Sequence, residues 1–363
     1  MASVQLTRMP VLPIIPRTLG HEPASLGRPW ARVMIRSRVI GTGSYLPDRV
    51  VTNEEVALPL GLPPAQIQRL TGIRERRWAA EHEAPSDMAI EAGHRALDAA
   101  DCQASALDAI ILSTTSPDMT FPSTACFVQR GLGCRGVGAF DVSASCSGFL
   151  YGLSMAQAMI QGGQVRTCLV VASEVKSRFL DPKDAATAVL FGDGAGAVVL
   201  RGEEERSPEW HGVLGIKLHA DGSRHGLIRV PAGGSRRPSS LDTLARQEHV
   251  LRMQGASLFR VAIRRIEQGV QDISKEFGVR LETIKQVILH QANGRILAQV
   301  AERLGIPQNR LSSVIERYGN TSSASLPIAL DAAVGDGHIM SGDLVLLGSF
   351  GGGLTWATCL IRW

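Results

Sequence analysis

The chain has no Cys-x-x-Cys pair, and none of its nine histidines joins a cysteine at metal-ligand spacing. Those absences exclude a zinc ribbon or finger, and no metal is expected. The six cysteines are Cys102, Cys126, Cys134, Cys146, Cys168 and Cys359. They are scattered rather than framed, which argues against disulfides and for a reducing cytoplasm. No apolar run approaches the ~18 residues that cross a bilayer, so no membrane span is expected. Aromatic residues are scarce, at 5%, and no basic run is interleaved with them. The net charge is +4 over 363 residues. That combination does not suit a nucleic-acid binder, although it leaves room for a local basic patch facing an acidic partner.

What is present is the composition of a globular enzyme, 44% hydrophobic and 20% charged. The chain is long enough for one large core or two similar halves. Residues 1–34 stand apart, with several Pro and Arg, one acidic residue and no clear period. They are expected to be a disordered extension or the product of an early start, since Met34 opens the first strand-like segment. A secretory signal would need a longer apolar core and a cleavage site.

Beyond that point, strand-like and helix-like segments alternate. Apolar runs at Ile35–Thr42, Leu107–Ser113, Val137–Val142, Thr167–Ser173 and Gly194–Leu200 read as strands. The pattern restarts with strand-like Gly212–His219, Val287–His290, Leu344–Ser349 and Trp356–Arg362. Helical periodicity marks Ser86–Ala100, Leu150–Ile160, Gly255–Phe277 and Gln291–Leu304, and a further helix runs from near Ser323 to Gly335. The expectation is an α/β fold of duplicated halves, residues 35–205 and 206–363, with the site between them near strand ends.

Each half delivers one reactive side chain from an apolar strand to the start of a helix. In the first it is Cys146, within Asp141-Val142-Ser143-Ala144-Ser145-Cys146-Ser147-Gly148-Phe149. A thiol there lies near a helix N-terminus, whose free N–H groups favour a thiolate, and small neighbours let a carbonyl approach. A buried, inert cysteine is the plain alternative. In the second half it is His290, within Leu289-His290-Gln291-Ala292-Asn293. A lone His after an apolar strand is more often structural. Gly319-Asn320-Thr321-Ser322 alone reads as a turn and cap. Ser349-Phe350-Gly351-Gly352-Gly353 alone is a turn whose N–H groups could receive an oxyanion. The loop Phe191–Gly196 lacks the Lys-Ser/Thr of a phosphate cradle and reads as structural.

Taken together, these segments resemble the β-ketoacyl-acyl-carrier-protein synthase III family of thiolase-superfamily condensing enzymes. Gly41-Thr42-Gly43-Ser44-Tyr45-Leu46-Pro47, Thr71-Gly72-Ile73-Arg74-Glu75-Arg76, Phe191-Gly192-Asp193-Gly194-Ala195-Gly196 and His219-Ala220-Asp221-Gly222-Ser223 match in order. The resemblance runs from about Ile35 to Trp363. It implies a thiolase-like fold with a five-layered αβαβα core. It implies a Cys146–His290–Asn320 triad, and an oxyanion hole from the N–H groups of Cys146 and Gly352. An acyl thioester would load onto Cys146, and malonyl on acyl carrier protein would then condense with loss of CO2. No permanently bound cofactor is implied. Phe121 and Phe350 would bound the acyl pocket, Phe121 from the neighbouring subunit of a homodimer. Asn293 and Arg295 would line the pantetheine tunnel and its entrance, and Arg260 would help dock the carrier protein, with Arg303 close to another docking position.

The chain departs from that pattern at the rim. Gln66, Leu70 and Ala185 stand where CoA-using members carry a Trp and two Arg that clamp the nucleotide. Arg69 and Lys183 lie nearby. The acyl donor is therefore expected on a carrier protein, or as CoA held differently. A rival on the same fold passes the acyl group to an alcohol or amine without decarboxylation. Cys359-Leu360-Ile361 lacks the Cys-x-Gly of a biosynthetic thiolase. A papain-like hydrolase would show a different sequence around its cysteine. A non-catalytic partner subunit would usually lack the nucleophile.

Overall fold

The computed structural model describes residues 35–204 and 211–363. The expected extension at residues 1–34, and the expected boundary at 205/206, lie outside the described residues. In the first part, five strands form one mixed sheet: β1 (Ile35–Tyr45), β2 (Ala109–Ser113), β3 (Gly138–Val142), β4 (Thr167–Glu174) and β5 (Gly194–Glu204). Their spatial order is β1-β5-β4-β2-β3, with β1, β5 and β4 antiparallel and β4, β2 and β3 parallel. The second sheet holds β6 (Gly212–Ala220), β7 (Gln286–Leu289), β8 (Leu311–Ser312), β9 (Leu344–Gly351) and β10 (Thr355–Arg362). Its order, β6-β10-β9-β7-β8, follows the same plan, with antiparallel pairs on the β6 side and parallel pairs on the β8 side.

The sequence dictates why these strands are central. Every residue of β2 and β4 is buried. Both read as continuous apolar runs, which is the signature of a sheet covered on both faces. Two helices are apolar on most sides, α3 (Gly148–Gln161) and α6 (Ser325–Gly335). Their side chains share one core with residues of both sheets, among them Val170 and Val198 from the first and Ile288 and Leu347 from the second. They therefore form the middle layer. The outer layers are amphipathic. Helices α1 (Pro85–Ala99) and α2 (Thr124–Gly131) cover the first sheet. Helices α4 (Gly255–Glu276) and α5 (Gly294–Leu304) cover the second. On α4 the buried set Ala262, Ile263, Ile266, Gly269, Val270 and Ile273 repeats at three and four residues, as a one-sided helix must. The result is the αβαβα layering of a thiolase-like fold.

Most expected elements stand within two residues of their expected ends. Two shifts matter for the site. The strand expected to include His290 ends at Leu289. The helix expected from Gln291 starts at Gly294, because the Asn293 side chain caps it by accepting from the Arg295 N–H at 2.8 Å. Residues 290–293 are thus freed as a turn. Edge strand β8 is too short to carry a period.

The middle layer is the stability hinge of this arrangement. Leu326 on α6 is fully buried in the core shared by both sheets. Leu326→Ala should lower unfolding free energy by about 2–5 kcal/mol, read as a reduced denaturant midpoint at unchanged slope.

Candidate active site

Cys146 sits in a single 3₁₀ turn, Ser145–Ser147, between the end of β3 and the start of α3. Ser145 adopts a positive φ of 49°, a sparsely populated conformation for a non-glycine residue. Tertiary contacts hold it there. Thr355 Oγ1 donates to the Ala144 carbonyl at 2.9 Å, and Ser147 Oγ donates to the Thr355 carbonyl at 3.2 Å. The glycine turn after β9 is thereby tied to the cysteine turn. The two backbones lie so close that a Cβ on Gly351 would stand 2.6 Å from the Cys146 nitrogen. Burial pushes the Cys146 thiol up, against the thiolate-favouring effect expected of a helix N-terminus.

His290 follows β7 and is 2% exposed. Its backbone N–H donates to the Gly348 carbonyl at 2.8 Å, which extends the parallel pairing of β7 and β9 by one residue. Burial lowers the imidazole to about 4, so the ring is neutral at physiological pH. Its Nδ1 has no hydrogen-bond partner among the described residues. A buried N–H without an acceptor is rarer and costlier than a bare lone pair. That assigns the ring proton to Nε2 and makes the ring a neutral donor.

Asn320 is held from both sides. Its N–H donates to the Leu190 carbonyl at 2.8 Å, and its carbonyl accepts from the Gly192 N–H at 3.1 Å. Its Oδ1 accepts from the Ser322 N–H at 2.9 Å, and Nδ2 lies 3.5 Å from the Ala292 carbonyl. The loop Phe191–Gly196 therefore supports Asn320 rather than cradling phosphate. Asp193 anchors the loop by accepting from the N–H groups of Ala79, Lys176 and Ser177. Fully buried Arg76 donates to the Val189 carbonyl and to Asn53 Oδ1, each at 3.0 Å.

These turns open on one cavity of about 390 Å³. It is lined by Cys146, His290, Asn320, Phe350 and Gly352, and farther out by Asn293 and Arg295. Leu70 and Ala185 also line it, while Gln66, Arg69 and Lys183 do not. Arg295 is the one charged side chain among the described lining residues, and its guanidinium stands 5.9 Å from the Phe259 ring centre. Phe121 is 85% exposed and lies outside the lining. Arg260 is exposed on α4, also outside it. Arg303 is paired with Glu267 at 3.1 Å.

Sequence reasoning missed two features. One is Gly351, hidden in a run of three glycines. The other is Glu174, fully buried at the end of β4 and paired with Lys176 at 2.9 Å. A carboxylate ending an otherwise apolar strand was the available signal, because such a group is rarely buried without a purpose-built set of partners.

A β-ketoacyl-[acyl-carrier-protein] synthase III from Paramagnetospirillum magneticum is 46% identical over 331 residues, 91% of this chain and 100% of that protein. The chain belongs to the 3-oxoacyl-[acyl-carrier-protein] synthase III family. The family's models match at residues 140–222 and, for its C-terminal part, at residues 275–363. The synthase III of Erythrobacter litoralis is 44% identical over 91% of this chain and 100% of its own length. Among solved structures, the synthase III of Aquifex aeolicus VF5 superposes with a TM-score of 0.82 at 41% identity, covering 90% of this chain and 100% of that one. The chain is thus an acyltransferase of the condensing type on a thiolase-like fold. None of these three relatives favours transfer to an alcohol or amine. No helix among the described residues is long and apolar enough to cross a membrane.

The backbone approach at Gly351 gives a direct check on the site. Gly351→Ala should leave the chain folded but remove most turnover, because the new Cβ must displace the Cys146 backbone. Circular dichroism with steady-state condensation assays would read both quantities. Wild-type turnover in the folded variant would show that the two turns need not touch.

Proposed function

We propose that this chain condenses an acyl thioester with malonyl-acyl-carrier protein through a covalent acyl-Cys146 intermediate. The observation that carries the reading is the convergence of Cys146, His290 and Asn320 on one cavity beside Gly351 and Gly352. In the first half-reaction the Cys146 sulfur attacks the donor carbonyl, the donor's carbon–sulfur bond breaks, and the carrier leaves as a thiol, its sulfur gaining the proton that Cys146 loses. The N–H groups of Cys146 and Gly352 stabilise the oxyanion that forms. In the second, His290 Nε2–H and Asn320 Nδ2–H donate to the malonyl thioester carbonyl. Loss of CO2 puts negative charge on that oxygen. Donors fixed beforehand, in a site shielded from water, stabilise the charge without reorganising. The carbanion then attacks the acyl-Cys146 carbonyl, the carbon–sulfur bond to Cys146 breaks, the β-ketoacyl product leaves on the carrier, and the Cys146 thiolate takes a proton from solvent.

The rim supports a donor presented by a carrier protein, or CoA held differently from a nucleotide clamp. Leu70, Ala185 and Ala186 offer neither an aromatic face nor a cation, and among the described residues Arg295 alone supplies positive charge to the lining. Asn293 and Arg295 would guide the pantetheine arm, and Arg260 would meet the acidic carrier. The exposure of Phe121 fits a homodimer in which that ring closes the partner's acyl pocket. The common strand plan of the two sheets supports reading 35–205 and 206–363 as duplicated halves. Six free cysteines suit a reducing cytoplasm.

Intact-protein mass spectrometry tests the nucleophile. Acyl-carrier and acyl-CoA donors should add the acyl mass to the wild type and not to Cys146→Ala. His290→Ala and Asn320→Ala should still acquire the acyl group, while condensation with malonyl-carrier falls by about 10²–10³-fold for each. Equal loss of both half-reactions would reject the division of labour. Because burial lowers His290 to about 4, the condensation rate of pre-acylated enzyme should show no histidine ionisation between about pH 5 and 8. A rate that drops on acidification with a midpoint near ~6.5 would mean that His290 titrates as an exposed group.

A further inference from the structure

Behind Cys146, on the side away from the cavity, lies a buried polar cluster that the reaction scheme does not use. Its centre is Glu174, the last residue of β4 and fully buried. Oε2 accepts from Ser116 Oγ at 2.7 Å and from the Thr115 N–H at 3.1 Å, and faces Lys176 Nζ at 2.9 Å. Oε1 accepts from Ser323 Oγ at 2.8 Å, Ser322 Oγ at 3.1 Å and Thr115 Oγ1 at 3.2 Å. Burial alone would raise this carboxyl, but Lys176 and the ring of donors hold it below the usual carboxylate range. It is ionised and can only accept.

Ser322 joins this cluster to the site. Its Oγ stands 3.5 Å from Cys146 Sγ as well as 3.1 Å from Glu174 Oε1. A hydroxyl has one hydrogen. A carboxylate is a far stronger acceptor than a thiol sulfur, so that hydrogen belongs to Glu174. The Ser322 oxygen then presents a lone pair to Cys146, and the thiol must be the donor in the 3.5 Å contact. Ser322 itself has a positive φ of 55°, and its N–H fixes the Asn320 amide at 2.9 Å. One strained residue therefore touches both halves of the site.

We infer that Ser322, oriented by Glu174, is a positioning residue that draws the Cys146 thiol hydrogen away from the cavity and turns the sulfur lone pairs toward the incoming carbonyl. The inference rests on the reading of Cys146 as the nucleophile. It also assigns a resting state. The sulfur stays a neutral thiol until a donor binds, because the carboxylate holds the Ser322 hydroxyl, the hydroxyl that among the described residues is within hydrogen-bond reach of the sulfur. Among the described residues, the charged groups acting on the sulfur are Glu174, which disfavours the thiolate, and Lys176, which favours it. His290, across the cavity, is neutral.

The test is the pH midpoint of Cys146 alkylation by iodoacetamide, followed by intact mass on the full chain. Wild type is compared with Ser322→Ala and Glu174→Gln, with Cys146→Ala correcting for other thiols. The expected midpoint is lower by about one pH unit in both variants, while loading by the acyl donor is slower. Faster alkylation with slower loading separates positioning from a general loss of structure, which would slow both. If Glu174→Gln fails to fold, Ser322→Ala decides alone. A midpoint that stays or rises in Ser322→Ala overturns the inference, since Ser322 would then be a donor to sulfur or a bystander. If Cys146→Ala still condenses, the nucleophile reading itself fails and takes this one with it. A dead Cys146→Ala with an unmoved midpoint sinks only the positioning role.

Discussion

Two buried turns meeting between two sheets are the constraint on which the site depends. One turn carries Cys146 into helix α3, and the other carries Asn320 through Ser322 into helix α6. Both helices belong to the middle layer, packed on both sides by sheet, so neither turn can move without disturbing a core common to both sheets. The contact between Cys146 and Ser322 is where they touch. The third turn, at His290, is fixed by continuing the parallel ladder of β7 and β9. The glycine turn that follows β9 returns beside Cys146. Three of the side chains that line the cavity, and the glycine turn beside them, are thus placed by strand ends and helix starts, the most rigid positions the fold offers.

Depth in the protein then sets the protonation states. Desolvation penalises charge of either sign, so it raises the Cys146 thiol and lowers the His290 imidazole. The resting site is a neutral pair rather than a thiolate–imidazolium couple. That suits a reaction in which negative charge has to develop on substrate oxygen. A neutral N–H can stabilise a nascent enolate without offering it the proton that an imidazolium would. The buried carboxylate of Glu174 nearby is kept from interfering by its own partners, Lys176 and the five residues Thr114, Thr115, Ser116, Ser322 and Ser323.

Much of this was legible in the chain, for particular physical reasons. The strands β2 and β4 announce themselves because a sheet covered on both faces needs unbroken apolar runs. The start of α3 was readable from the crowd of small residues around Cys146. His290 and Asn320 were not readable from composition or period alone. Each reads locally as a structural His or a turn residue, and only the ordered set of motifs gave them a role. Other features were out of reach. The convergence of Gly351 on the Cys146 backbone is a tertiary contact between residues more than two hundred positions apart. The placement of Glu174 depends on the pairing of β4 with its neighbours. The shift of the α5 start from Gln291 to Gly294 came from the Asn293 cap, a local signal that helical periodicity overrode.

The same architecture separates chemistry from selection. Cys146, His290 and Asn320 stand on turns locked into the core, whereas the cavity mouth is built from peripheral pieces. Leu70 ends the short helix Pro64–Thr71, Ala185 opens a four-residue helical turn, and Arg295 sits in the first turn of α5. Asn293 links Leu70 to the helix of Arg295: its amide donates to the Leu70 carbonyl at 3.3 Å while its oxygen caps α5. Substitutions at Leu70 or Ala185 change what the mouth presents to an arriving carrier without breaking a hydrogen bond to any of the three reactive side chains. Leu70 and Ala185 therefore belong to the part of the cavity lining that can change without disturbing the turns in the core.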